Sequence, residues 1–139
     1  MVHDLDRLAH WGLARNPFDD TRHPRVYFPS PIHEQAVQRM TYLVRQAHAP
    51  FGLLTGEVGC GKSLVAQVVA QRVADPHRHV VLLPNSHASF PHLLADIIAD
   101  LVEDAIEFDT YDEYVLTKAF VRVVEQTLLP HDRRLVVVF

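Results

Sequence analysis

FGLLTGEVGCGKSLVAQVVA, residues 51–70, decides the fold. A short apolar run over 51–55 leads into Gly56, Gly59 and Gly61, followed by Lys62 and Ser63. Leu64, Val65, Val68, Val69 and Val73 then recur at helical spacing. The apolar run, short and closed by glycine, predicts a buried strand. The periodic stretch predicts a helix that stops around Asp75-Pro76. Between them, Gly56-Glu57-Val58-Gly59-Cys60-Gly61-Lys62-Ser63 fits G-x-x-x-x-G-K-[ST], the phosphate-holding P-loop, in the strand-then-helix context that its mechanism demands.

Each fixed residue type has a chemical reason. Backbone N–H groups of Gly59 to Ser63 can point inward only where no Cβ obstructs them. They then surround a β-phosphate as an anion nest at a helix N-terminus. Lys62 reaches the β- and γ-phosphates with a point charge, which makes it the candidate catalytic residue, and Ser63 offers its hydroxyl to Mg²⁺. The candidate nucleotide-binding residues are Gly56, Glu57, Val58, Gly59, Cys60, Gly61, Lys62, Ser63 and Leu64. A dinucleotide loop would want G-x-G-x-x-G. Here the order is G-x-x-G-x-G-K-S, and the lysine decides for the P-loop.

Outward from the loop, strand and helix alternate. Ser30-Pro31 predicts an N-cap and a first-turn proline. Ala36, Val37, Met40, Leu43, Val44 and Ala47 give that helix an apolar face, with its end near His48. Residues 79–83 predict a second buried strand, and Asn85 and Ser86 open a polar loop. Leu93, Leu94, Ile97, Ile98, Leu101 and Val102 mark a third helix. Thr110 and Glu113 have capping-box spacing for a fourth, with Val115, Ala119, Phe120, Val123 and Val124 inside and Pro130 ending it. Residues 135–139 predict a third strand. Strands apolar throughout need cover on both faces. The expected fold is α/β, a three-layer αβα P-loop NTPase with a parallel sheet; the resemblance given below implies that it is incomplete, the chain ending at the third strand.

The chain has 139 residues, 48% of them hydrophobic and 22% charged, the make-up of one globular domain. Residues 1–30, punctuated by Pro17, Pro24 and Pro29, predict an irregular arm, and 31–139 a partial P-loop ATPase domain. A net charge of −4 disfavours autonomous nucleic-acid binding, which usually needs a basic excess. The single cysteine, Cys60, allows no internal disulfide and fits a reducing compartment. No apolar run approaches the ~20 residues that span a bilayer. A soluble, cytoplasmic chain is expected.

Three smaller features have a functional and a plain reading. Cys60, beside Lys62 at a helix start, could act as a thiol switch; with no resolving cysteine, a tolerated small residue is the simpler account. His77 and His79 could hold a metal, but no third ligand lies near them in sequence. Tyr27 and Phe28 could stack on adenine; pinning the arm to the folded body is the simpler role.

HWGLARNPF, YFPSPIHEQAVQRMTYLV and FGLLTGEVGCGKS, in that order, resemble the N-terminal ATPase domain of general secretion pathway protein A, the ExeA-like group of AAA+ ATPases. The resemblance runs from about Trp11 to Phe139. It implies ATP binding and hydrolysis with Mg²⁺, in a homo-oligomer that works with secretion-assembly proteins. The place implied is the cytoplasmic face of a bacterial inner membrane, where such proteins help to place a type II secretion pore. Related ATPases serve transposition, which is the competing role; a non-hydrolysing nucleotide-binding module is a third. The resemblance also puts Tyr27, Phe28 and His33 on the adenine side. In that family a strand like 135–139 is followed by the Walker B acidic pair, and a later strand lies between it and the P-loop strand. The resemblance thus implies a fragment of a longer reading frame, a gap in the sheet, and a chain that binds ATP with little or no hydrolysis.

Overall fold

In the computed structural model, the residues described are 8–14, 16, 24–46, 51–83, 88–102, 108 and 110–139. The polar loop expected from Asn85 and Ser86 and the helix end expected near His48 lie outside them. Four main helices and two strands follow one another: α1 (Pro31–Gln46), α2 (Lys62–Val73), β1 (Arg78–Leu82), α3 (Phe90–Val102), α4 (Glu113–Thr127) and β2 (Arg134–Val138). Short 3-10 turns at Pro24–Val26 and Leu129–His131 precede α1 and β2.

β1 and β2 pair in parallel, with Val80 opposite Val136 and Val81 opposite Val137. Alternation along each strand divides its side chains between two apolar layers. Val80 and Val136 pack on one cluster, formed by Val37 of α1 and by Val65, Val68, Val69 and Val73 of α2. Val81, Leu135 and Val137 belong with Ile97 and Leu101 of α3 and with Leu128, just past α4. Leu94, Ala95 and Ile98 meet Leu116 between α3 and α4. Helices thus cover both faces of the sheet, and the layers are αβα with a short parallel sheet, as expected from strands without a polar face.

The first predicted strand is corrected. Residues 51–55 form no strand, and the described sheet contains β1 and β2 alone. The physical reason is the lack of a neighbour: extended backbone becomes a strand only when another strand takes its hydrogen bonds. Leu54 still packs on the first cluster. Phe51 and Leu53, expected to be buried, are 78% and 79% exposed. A groove of about 660 Å³ lies between this segment and β2, bounded by Leu53, Leu54, Val136 and Val138, with Lys62 and Ser63 also in its wall.

Two helix details also differ from expectation. Asp112, not Thr110, caps α4: its Oδ1 accepts the Val115 N–H at 3.0 Å. A carboxylate suits the positive end of a helix. Thr110 Oγ1 instead accepts the Asp112 N–H at 3.2 Å, a local turn of the kind threonine favours. Starting the helix at Glu113 rotates its inner face, so Leu116 is 1% exposed while Val115, expected inside, is 48% exposed.

α1 and α2 are also joined by charge. Arg72 donates to both oxygens of Glu34, at 2.7 and 3.1 Å. Tyr27 O–H donates to the same carboxylate at 3.3 Å. The Arg72 bonds hold the Glu34 carboxyl below its ordinary 4.5. Burial, and then the Glu34 charge, pushes the Tyr27 hydroxyl up.

Two expectations follow. Leu116→Ala should cost about 2–5 kcal/mol in urea unfolding, and Val115→Ala no more than about 0.5 kcal/mol. The reverse order would place the other face of α4 inward. Glu34 has a lowered folded value, so its ion pair stabilises fully above about pH 4.5 and is lost as pH falls through that lowered value. Both side chains are partly exposed, so solvent screens the effect and keeps it small. Unfolding curves should show Glu34→Gln less stable than the parent at about pH 6, with the difference shrinking as pH falls below about 4.5 and through the lowered value of Glu34. A gap that stays constant over that range would remove the ion pair as its cause.

Candidate nucleotide-binding site

α2 begins where its valine face meets α1, and that placement sets the end of the glycine loop. Gly59 and Gly61 have φ of +82° and +84°. Side chains other than glycine are strained there, so these two residues let the backbone reverse twice within three positions. Gly61 is the N-cap of α2 and brings no side chain to the task. Its carbonyl accepts the Val65 N–H at 3.0 Å. The first-turn N–H groups, from Lys62 onward, point out of the helix end without intrahelical partners. They meet the positive pole of the helix dipole there.

Lys62 lies back over the loop. Its ammonium donates to the Gly56 carbonyl at 2.9 Å and to the Glu57 carbonyl at 2.6 Å, with Cys60 Sγ 3.8 Å away. Ser63 is exposed at the first turn, and Val58 is fully exposed at the loop's tip. Cys60 is exposed as well. The sequence-predicted run from Gly56 to Leu64 is therefore one continuous loop and helix start, with its lysine, its hydroxyl and its orphan N–H groups at one end of α2.

The other singled-out residues divide. Tyr27 packs on the first core cluster and is tied to Glu34, which is an anchoring role. Phe28 is 79% exposed and does not share that anchor. His79 pairs with Asp100 at 2.7 Å, and Arg133 lies 3.4 Å from its other ring nitrogen. Among the described residues no group of three His, Cys, Asp or Glu side chains could hold a metal. Among them, too, no helix is long and apolar enough to cross a membrane.

Sequence reasoning missed one contact. His33 Nε2 lies 2.9 Å from the Cys60 carbonyl, and Nδ1 lies 2.6 Å from Ser30 Oγ. Residues 33 and 60 are 27 positions apart. No local pattern reports such a distance.

Searches of curated proteins and of solved structures return no match. A family model described as an AAA domain matches residues 45–138, well over half of the chain. The matched range runs from the end of α1 through the glycine loop to the last residue of β2. With the loop, the parallel strands and the two helical layers agreeing with that match, the chain belongs to the AAA domain family of P-loop ATPases.

Proposed function

We propose that the glycine loop binds the phosphates of ATP together with Mg²⁺, and that the 139-residue chain binds nucleotide far better than it hydrolyses it. The observation that carries this reading is the geometry of Gly59 and Gly61, both at positive φ, leading into the start of α2, which has no side-chain cap. Magnesium fits the exposed Ser63 hydroxyl and would supply charge neutralisation between phosphate oxygens.

The chain's own residues do the rest. The N–H groups from Gly59 to Leu64 take phosphate oxygens. Lys62 turns its ammonium from the Gly56 and Glu57 carbonyls to the β- and γ-phosphates. Those carbonyls are exposed, so water can replace the lysine as their donor. Hydrolysis needs a group that orients the attacking water. Among the described residues, the groove wall that contains Lys62 and Ser63 has no carboxylate side chain, and its other charged members are Arg78 and Arg134.

The finer role follows from the ExeA-like sequence segments. They support work in assembling a type II secretion pore at the cytoplasmic face of an inner membrane, as a homo-oligomer and with other secretion-assembly proteins.

Titration with a fluorescent ATP analogue in Mg²⁺ tests the site. Lys62→Ala should weaken binding about 10- to 100-fold, the worth of a lost charge-assisted hydrogen bond. Equal affinity in parent and variant would sink the assignment. Phosphate release by the parent chain should stay near the uncatalysed rate.

A further inference from the structure

Two helices of this chain begin with the same spacing. Ser30-Pro31-Ile32-His33 opens α1, and Ser89-Phe90-Pro91-His92 opens α3. In both, the serine Oγ lies 2.6 Å from the histidine Nδ1. In both, the serine carbonyl accepts the N–H four residues on, at 2.8 Å for Glu34 and 3.0 Å for Leu93. The serine–histidine contact is thus a local feature of a helix start. What differs is the far side of the ring. His92 stacks on Tyr111, with ring centroids 4.2 Å apart. His33 extends Nε2 to the glycine loop.

A carbonyl only accepts, so the 2.9 Å contact to Cys60 O requires the proton on Nε2. In the neutral ring Nδ1 is then an acceptor, and the Ser30 hydroxyl donates to it. The acceptor-only Cys60 carbonyl thus sets the tautomer, and the Ser30 hydroxyl, which can donate or accept, holds the ring by donating to the bare Nδ1. The peptide from Cys60 to Gly61 is trans and planar, with C=O and N–H on opposite sides. Drawing Cys60 O towards His33 turns Gly61 N–H the other way. The approach is close: a Cβ at Gly61 would stand 3.2 Å from His33 Nε2.

We infer that His33, oriented by Ser30, is a positioning residue of the phosphate loop: its Nε2–H holds the Cys60 carbonyl outward so that Gly61 N–H faces the bound phosphates. This rests on the nucleotide-binding reading above. It gives His33 a role on the phosphate side of the nucleotide, through the loop backbone, with no direct contact to the ligand.

The test combines binding with a ring signature. Mg-ATP affinity should fall about tenfold in His33→Ala. In His33→Gln, whose amide N–H can donate to the same carbonyl, affinity should return to within about threefold of the parent. His92→Ala should bind as the parent does. Nitrogen-15 NMR of the unliganded parent chain should show His33 protonated at Nε2 and bare at Nδ1.

Unchanged affinity in His33→Ala would overturn the inference, and so would equal loss in the alanine and glutamine variants, which would leave ring shape as the cause. The opposite tautomer in the parent would overturn it without any variant having to fold. A parent chain that binds no ATP would instead sink the proposed function. The ring tautomer, and the Cys60 carbonyl carbon-13 shift on His33→Ala, would then still decide whether the bond to the loop exists.

Discussion

Val37 of α1 is completely buried against Val65, Val68, Val69 and Val73 of α2, and that apolar contact fixes where α2 can lie. Burial of such side chains stabilises by about 1.5–3 kcal/mol each, and β-branched residues have few rotamers to spend on alternatives. The start of α2 is also the end of the glycine loop. Any tilt of α2 would carry Gly61, Lys62 and Ser63 with it. The Glu34–Arg72 pair and Tyr27 reinforce the same contact from its rim, so the segment before α1 is drawn into the arrangement as well.

Much of this was legible because it is local. The glycine loop is read from residue types whose reasons lie within eight positions. The faces of α2 and α3 follow from 3.6-residue spacing, and β1 and β2 fall within a residue of the predicted strands. Valines 80 and 81, apolar in succession, correctly implied cover on both sides of the sheet. Where local rules competed, the outcome was harder to see. Thr110 and Asp112 can both cap a helix, and the choice between them shifted the buried face of α4 to Leu116.

What the pattern of residues 51–55 could not show is whether anything lies alongside. Strand pairing is a property of two segments, and apolar periodicity describes only one. The segment keeps its place by packing: a Cβ at Gly52 would come within 3.1 Å of the side-chain ends of both Met40 and Leu43, so the backbone lies close against α1. The His33–Cys60 contact escaped reading for the same reason. It joins two segments distant in sequence, and neither ring nor carbonyl has a local signature for the other.

The resting position of Lys62 has a thermodynamic meaning of its own. While its ammonium is held by the Gly56 and Glu57 carbonyls, the loop presents its N–H groups but withholds its charge. Apparent affinity for any anion is then the intrinsic affinity scaled by the fraction of molecules in which the lysine is released. On the nucleotide-binding role proposed for the loop, small changes in the donors and acceptors around those two carbonyls would therefore tune affinity by changing how readily Lys62 is released. The glycine loop contains, in its own main chain, a competitor for its own cation.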